Sequence, residues 1–217
     1  EDLGVSAALT QSAPVAAILR EEVPLFANTG ALPLNQAYKQ ASFVPGNVNL
    51  QPHEVPLGSM AYTVGRIIEI EGPIHEEEIV ARVRDLWGLG RAGSRINAVV
   101  KEALSHASRK EQFAIEGDCY NLKDRPVIVR DRSNVESRTL KKPELLPPQE
   151  IREAIVGLIR DAHGVRKDEV ITVVSRMLGF QATSQQLRER IDQQIELLVI
   201  NGKLRYRSEV LSVADRD

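Results

Sequence analysis

The chain of 217 residues is poor in cysteine, in aromatic side chains and in net charge. Its single cysteine, Cys119, excludes an intramolecular disulfide and is typical of a protein from the reducing cytoplasm. Aromatic residues make up only 4% of the chain, so aliphatic side chains must form the core. The net charge of −2 excludes a strongly basic protein, and a nucleic-acid site would therefore have to rest on a local basic patch.

Long apolar runs and a leader peptide are also missing from the sequence. No run reaches the roughly 18 apolar residues of a membrane-spanning helix, and the first residues lack the basic start of a signal peptide. We therefore expect a cytoplasmic protein with no membrane partner. Because the chain does not start with methionine, we expect a processed product or a piece of a longer protein.

The motifs of catalysis and of cofactor binding are incomplete. Gly88–Gly93 has the letters GxGxxG, but a helical pattern precedes it where a dinucleotide-binding fold needs a strand. His75-Glu76 begins like a zinc-protease motif, yet Ile79 stands where the second metal ligand belongs. Cys119 has no histidine nearby in sequence that would activate a thiol. We expect no catalytic residue, no metal and no cofactor.

A helix–turn–helix pattern over Glu71–Leu104 is the most informative part of the sequence. A helix with an apolar face begins near Leu57 and stops at Gly72-Pro73. A second helix opens with three glutamates, which the helix dipole favours there, and Gly88 suits the turn that ends it. The pattern predicts a third helix over about 92–107.

A hairpin signal follows the third helix. Phe113 and Ile115 alternate with polar residues, a turn comes at Gly117, and Cys119-Tyr120 lead back. The same apolar pattern returns 91 positions later without an insertion, with Gly179 in the place of the first turn glycine. The sequence therefore predicts a mainly α protein with small β-hairpins, built as two tandem winged-helix domains, each a helix–turn–helix plus a wing.

Four segments follow from this repeat. In the irregular N-terminal segment a short helix is expected at Ala13–Glu22. In the linker between the two domains a short strand is expected at Val127–Val129. In the second winged-helix domain, Thr183 and Gln186 predict a capping box at the start of its third helix. Lys123–Pro148 is rich in charge and proline, which predicts an extended linker with a modest basic surplus. The segments are 1–51 (irregular N-terminal segment), 52–125 (first winged-helix domain), 126–147 (charged, proline-containing linker) and 148–217 (second winged-helix domain).

The third helix of the first domain carries the clearest functional signal. Its N-terminal end and outer face are rich in basic and amide side chains, where a recognition helix meets DNA. Such groups neutralise phosphates or read base edges, and two arginines of the second wing would add phosphate contacts. The alternative is a solvated helix face that binds nothing. The candidate nucleic-acid-binding residues are Arg91, Ser94, Arg95, Asn97, Lys101, Arg205 and Arg207.

The stretch IIEIEGPIHEEEIVARVRDLWGLGRAGSRI resembles a bacterial family of unknown function. That family forms the C-terminal module of very large superfamily 1 helicase proteins, which often also carry a nuclease domain. The resemblance extends from about Tyr38 to the end of the chain and implies a helicase–nuclease parent protein. It transfers no catalytic residue. The segments that carry it are Glu71–His75, Trp87–Leu89, Arg91–Gly93, Arg95–Ile96 and Met177–Phe180.

Two functions compete at this point. The first is a non-catalytic DNA-binding module, the C-terminal part of a larger helicase/nuclease protein, that positions DNA for the motor. Its partners would be DNA and the other domains of the parent protein. The second is a protein–protein interaction or scaffolding module without nucleic-acid contact. The charge of the third helix in the first domain favours DNA, whereas the overall charge of −2 favours a protein partner.

Overall fold

The computed structural model describes residues 35–109, 112–162 and 164–214, which contain six α-helices and eight short β-strands. The protein is mainly α with small β-hairpins, as the sequence predicts. The helix expected at Ala13–Glu22 lies outside the described residues. Among the residues described, no helix has both the length and the apolar character needed to cross a membrane.

Strand β1 (Asn35–Ala37) comes first, and the first repeat, Leu57–Leu122, follows it. The repeat contains three helices and a three-stranded antiparallel sheet in the order β2-β4-β3. Its elements are α1 (Leu57–Glu71), β2 (Ile74–His75), α2 (Glu76–Leu86), α3 (Ser94–Ser108), β3 (Phe113–Glu116) and β4 (Cys119–Leu122).

The second repeat, Pro148–Val213, follows strand β5 (Val129–Asp131) and copies the first element by element. Its sheet has the equivalent order, β6-β8-β7. Every element begins 91 residues after its counterpart, so the repeat seen in the sequence is confirmed. The elements are α4 (Pro148–Ala162), β6 (Val165–Arg166), α5 (Lys167–Met177), α6 (Gln185–Ile200), β7 (Leu204–Arg207) and β8 (Val210–Val213).

Aliphatic side chains fill the core of each repeat. In the first, α1 packs on α3 through Val64 and Ile68 on one side and Val100 and Leu104 on the other, all at most 1% exposed. These are the inward positions that the helical spacing predicts. Ile155, Ile191 and their neighbours do the same for α4 and α6, and are equally buried.

The segment between the repeats is packed, although an extended linker was expected. Strand β5 pairs in parallel with β1, in the register Asn35↔Val129, and overlaps the expected strand only at Val129. Two 3-10 helices follow, and Leu140, Leu145 and Leu146 are buried. Through these leucines and the buried arginines described below, the segment packs against both repeats. The boundaries of the two domains stay a prediction.

The turn glycines of the two repeats have different surroundings. Gly88 and Gly179 both end a helix with positive φ, 65° and 92°. A Cβ atom at Gly179 would lie 2.4 Å from the backbone nitrogens of Arg132 and Ser133, whereas one at Gly88 would meet nothing within 4 Å. The second turn therefore touches the inter-repeat segment, where the amide of Arg132 donates to the carbonyl of Leu178 at 3.1 Å.

We expect Gly179→Ala to lower the free energy of unfolding far more than Gly88→Ala. Both substitutions place alanine in the left-handed region, which costs roughly 1–2 kcal/mol. At Gly179 the clash with backbone adds to this, so the decrease should reach about 3 kcal/mol or more. Urea unfolding of both variants measures the difference. Equal decreases would contradict the close approach of this turn to the inter-repeat segment.

Candidate nucleic-acid interface

The N-terminal end of α3 is open. Gly93 is the N-cap residue and provides no side-chain acceptor, and the first turn contains no acidic residue. The first amides of a helix have no partner within the helix and carry a partial positive charge. An anion such as a phosphate is therefore favoured at this end of α3.

The predicted site residues of α3 and its preceding turn are brought together at this open end. Arg91, Ser94, Arg95 and Asn97 are all exposed. The side chains of Arg91 and Arg95 form no ion pair or hydrogen bond with any residue that the structure describes. Both guanidinium groups thus remain available to a ligand.

Lys101 differs from the other candidates because it has a partner. Its Nζ lies 2.9 Å from Glu76 Oε1, and the hydrogen bond to this carboxylate, with its charge, raises the pKa of Lys101. The equivalent positions of the second repeat carry the same ion pair with reversed charges, Lys167 with Asp192, at 2.5 Å. In each repeat this ion pair therefore links the second helix to the third. In the first repeat, Glu76 already compensates part of the charge of Lys101.

The equivalent end of α6 is closed. Ser184 is the N-cap residue, and its Oγ accepts from the amide of Leu187 at 3.2 Å. The expected capping box of Thr183 and Gln186 was wrong by one residue, since Gln186 donates instead to Glu144 at 3.1 Å. The two repeats thus differ at the place where the first one is basic and uncapped.

Arg205 and Arg207 lie on β7 of the second repeat, on another element than the α3 candidates. Arg207 is exposed and Arg205 is half-buried, and both already interact within the protein. The seven predicted residues therefore form two groups, five at α3 and two on β7.

The hairpin of the first repeat contacts the second repeat through one side chain. Glu116 on β3 forms an ion pair with Arg152 on α4 at 2.5 Å, and Arg152 also donates to Gln194 at 2.9 Å. Cys119 on β4 is 2% exposed, and burial raises the pKa of its thiol to about 12. The thiol is therefore protonated at neutral pH and is a poor nucleophile or metal ligand.

Sequence reasoning missed a group of buried charges that joins the two repeats, here called the ion cluster: Glu71, Arg82, Arg130, Arg132 and Glu150. The Arg82 guanidinium binds Glu71 of α1 through two hydrogen bonds of 2.5 and 2.9 Å. Arg130 and Arg132 each approach Glu150 Oε2 of α4 to 2.6 Å. Arg130 also donates to the backbone carbonyls of Glu71 and Pro73, which connects the two halves of the cluster.

Tyr38 completes the ion cluster. Its hydroxyl donates to Glu71 at 2.8 Å, and its ring lies 4.7 and 5.0 Å from the guanidinium carbons of Arg130 and Arg132. The one signal in the sequence was the position of Glu71, which continues the buried face of α1 after Ile67. A carboxylate at such a position requires a buried cationic partner.

The ion cluster is densely packed at its centre, although Arg130 also borders a cavity of about 130 Å³ next to Gly72 and Ile128. The cavity beside Tyr38, Glu78 and Arg132 measures about 10 Å³. Burial acts to raise the pKa of Glu150, but the charges of Arg130 and Arg132 hold it at about 2. The described residues contain no group of three or more His, Cys, Asp and Glu side chains that could hold a metal.

Comparison with known proteins gives a family match over part of the chain. The model of a family described as "Protein of unknown function (DUF3320)" matches residues 51–98, from just before α1 to the first turn of α3. Neither the curated proteins nor the solved structures contain a significant match. The match supports a domain family of unknown function for this part of the chain, and it includes the open end of α3.

We expect Glu150→Gln to lower the free energy of unfolding by about 3–5 kcal/mol at neutral pH, because it leaves two buried arginines without a counter-charge. The folded pKa of about 2 lies below the ordinary value of 4.5, so this stabilisation is present above pH 4.5 and is lost as the pH falls toward 2. Urea unfolding at neutral pH and near pH ~3 measures both effects.

Glu78→Gln is the matched control. Burial raises the pKa of Glu78, against the opposing effects of Thr139 and Arg82, so its charge is disfavoured in the folded protein. Neutralising it should cost far less than neutralising Glu150. A Glu150→Gln variant as stable as Glu78→Gln would show that the ion cluster does not hold the repeats together.

Proposed function

We propose that each repeat is a winged helix and that the protein is a non-catalytic DNA-binding module. Three helices, a short strand between the first two and a hairpin after the third support the winged-helix assignment. In this arrangement the third helix enters the major groove. In the first repeat that helix is α3.

The observation that carries the proposal is the open, basic end of α3. Arg91 and Arg95 are exposed and without partners among the described residues, and the amides beside them are uncapped. Phosphates would bind to the arginines and the helix end, while Arg95 and Asn97 would contact base edges. Lys101 would contribute once DNA competes with Glu76 for it.

The module would act as a part of a larger protein. We propose that it is the C-terminal part of a cytoplasmic helicase/nuclease and that it positions DNA for the motor. The resemblance of the first repeat to modules of such proteins supports this proposal. Arg205 and Arg207 would add phosphate contacts from the second wing if the DNA reaches the second repeat.

A protein partner is the second candidate, and the surface of the second repeat favours it. Leu197 and Ile200 at the end of α6 are 43% and 77% exposed, and Tyr206 on β7 is 41% exposed. Arg188 at the other end of α6 is paired with Asp168 at 2.8 Å. The second repeat would then hold another part of the parent protein while the first binds DNA.

We expect the double substitution of Arg91→Ala and Arg95→Ala to weaken duplex binding. The log–log dependence of affinity on salt should become shallower by about 0.9 for each phosphate that the variant no longer neutralises. The melting temperature should stay unchanged, because both side chains are exposed and unpaired within the described residues. Fluorescence anisotropy with a labelled duplex, at several salt concentrations, measures the slope.

The control removes the same charge from the second repeat, by Arg160→Ala together with Arg176→Ala. Both of these side chains are exposed. A loss of nonspecific electrostatic attraction to DNA would therefore weaken binding equally in this control and in the α3 variant. Equal weakening by the two variants would contradict a site at α3. Absence of duplex binding by the wild-type chain at low salt would contradict the DNA function itself.

A further inference from the structure

The first repeat has a cavity of about 360 Å³ at the far end of α3. Its walls come from α1, from the last turns of α3 and from the hairpin. The residues that matter for its chemistry are Gly58, Ala61, Tyr62, Gly65, His106 and Phe113.

The floor of the cavity consists of small residues on one face of α1. Gly58 and Gly65 destabilise the helix relative to alanine, yet packing does not require them. A Cβ atom at Gly58 would meet nothing within 4 Å, and one at Gly65 would meet only Phe113 Cζ, at 3.8 Å. The glycines therefore leave open space that the fold itself does not use.

An aromatic wall stands beside this floor. Tyr62 is 69% exposed, although large aromatic side chains are usually covered. Its hydroxyl has no hydrogen bond to the part of the chain that the structure describes. The half-buried ring of Phe113 borders the same cavity. A flat, apolar ligand would fit between an aromatic face and a glycine floor.

The equivalent groove of the second repeat lacks these features. Gln149, Glu153 and Val156 stand where the first repeat has Gly58, Tyr62 and Gly65. Arg152, in the place of Ala61, binds Glu116 of the first hairpin. The aromatic cavity is therefore specific to the repeat that has the open, basic end of α3.

The cavity and the open end lie on one face of α3. His106 follows Arg95 by about three helical turns, so the two point the same way, about 16 Å apart. That distance corresponds to roughly five base pairs. Arg66 and His106 border the cavity, where Arg66 is paired with Glu69 at 2.9 Å, so the cavity offers a ligand its apolar and aromatic surface rather than net positive charge.

We propose that this cavity receives an unpaired base of a single-stranded DNA tail next to the duplex bound at Arg91 and Arg95. The inference rests on the proposed DNA function. The base stacks on Tyr62 above the glycine floor, as bases do in other single-strand sites. The module thereby recognises the junction between duplex and single strand.

The test compares a blunt duplex with the same duplex carrying a short single-stranded tail, by anisotropy with the full chain. The tail should raise the affinity by about fivefold to a hundredfold, the range that stacking of one base provides. Tyr62→Leu should abolish this gain and leave blunt-duplex binding unchanged. Gly65→Leu should do the same by filling the cavity, without lowering the melting temperature.

Tyr206→Leu is the matched control, since it removes another exposed tyrosine and should leave the gain intact. Equal affinity of the wild-type chain for blunt and tailed duplexes would overturn the proposal and leave a protein side chain as the occupant. A gain that survives both Tyr62→Leu and Gly65→Leu would also overturn it. Failure to bind either duplex would instead remove the DNA function on which the proposal rests.

Discussion

The structure depends on two buried carboxylates and the arginines that neutralise them. Glu71 closes the first helix of one repeat and Glu150 opens the first helix of the other, and both are fully buried. Each would strongly destabilise the fold if left unpaired. Arg82 forms an ion pair with Glu71, and Arg132 forms one with Glu150. Arg130 contacts both residues, the carboxylate of Glu150 and the backbone carbonyl of Glu71. Each repeat has only a small aliphatic core, and these buried charges join the two repeats.

This joint also decides which surfaces can bind a ligand. The hairpin of the first repeat contacts α4 through Glu116 and Arg152, so one edge of this wing is held against the second repeat. The end of α3 is not part of the joint and stays exposed, with its amides uncapped and its arginines unpaired within the described residues. Two repeats of the same shape have thus acquired different surfaces. The first offers a basic helix end and an aromatic cavity, and the second offers paired charges and exposed aliphatic side chains.

The sequence predicts the helices and hairpins well, because helical spacing, turn glycines and the 91-residue repeat are local or periodic signals. It does not predict the pairing of β1 with β5, since two three-residue strands far apart in the chain carry no such signal. Arg130 and Arg132 fall in the segment that the sequence predicts as an extended linker, because charge alone does not reveal a buried partner. At the candidate site, the exposure of Arg95 follows from the helical pattern, and that of Arg91 from its place in the turn before α3. The pairing of Lys101 with Glu76 and the cavity beside Tyr62 depend on tertiary packing and could not be predicted.

The central claim is that DNA occupies the open end of α3, and amide hydrogen exchange with and without duplex DNA tests it most directly. Protection on DNA binding should appear in residues 91–98, because a phosphate there would accept hydrogen bonds from the first amides of the helix. The equivalent residues of the second repeat, 182–189, should be unchanged, since Ser184 already caps that helix. Protection confined to the second repeat, or none under conditions where DNA binds, would contradict the account.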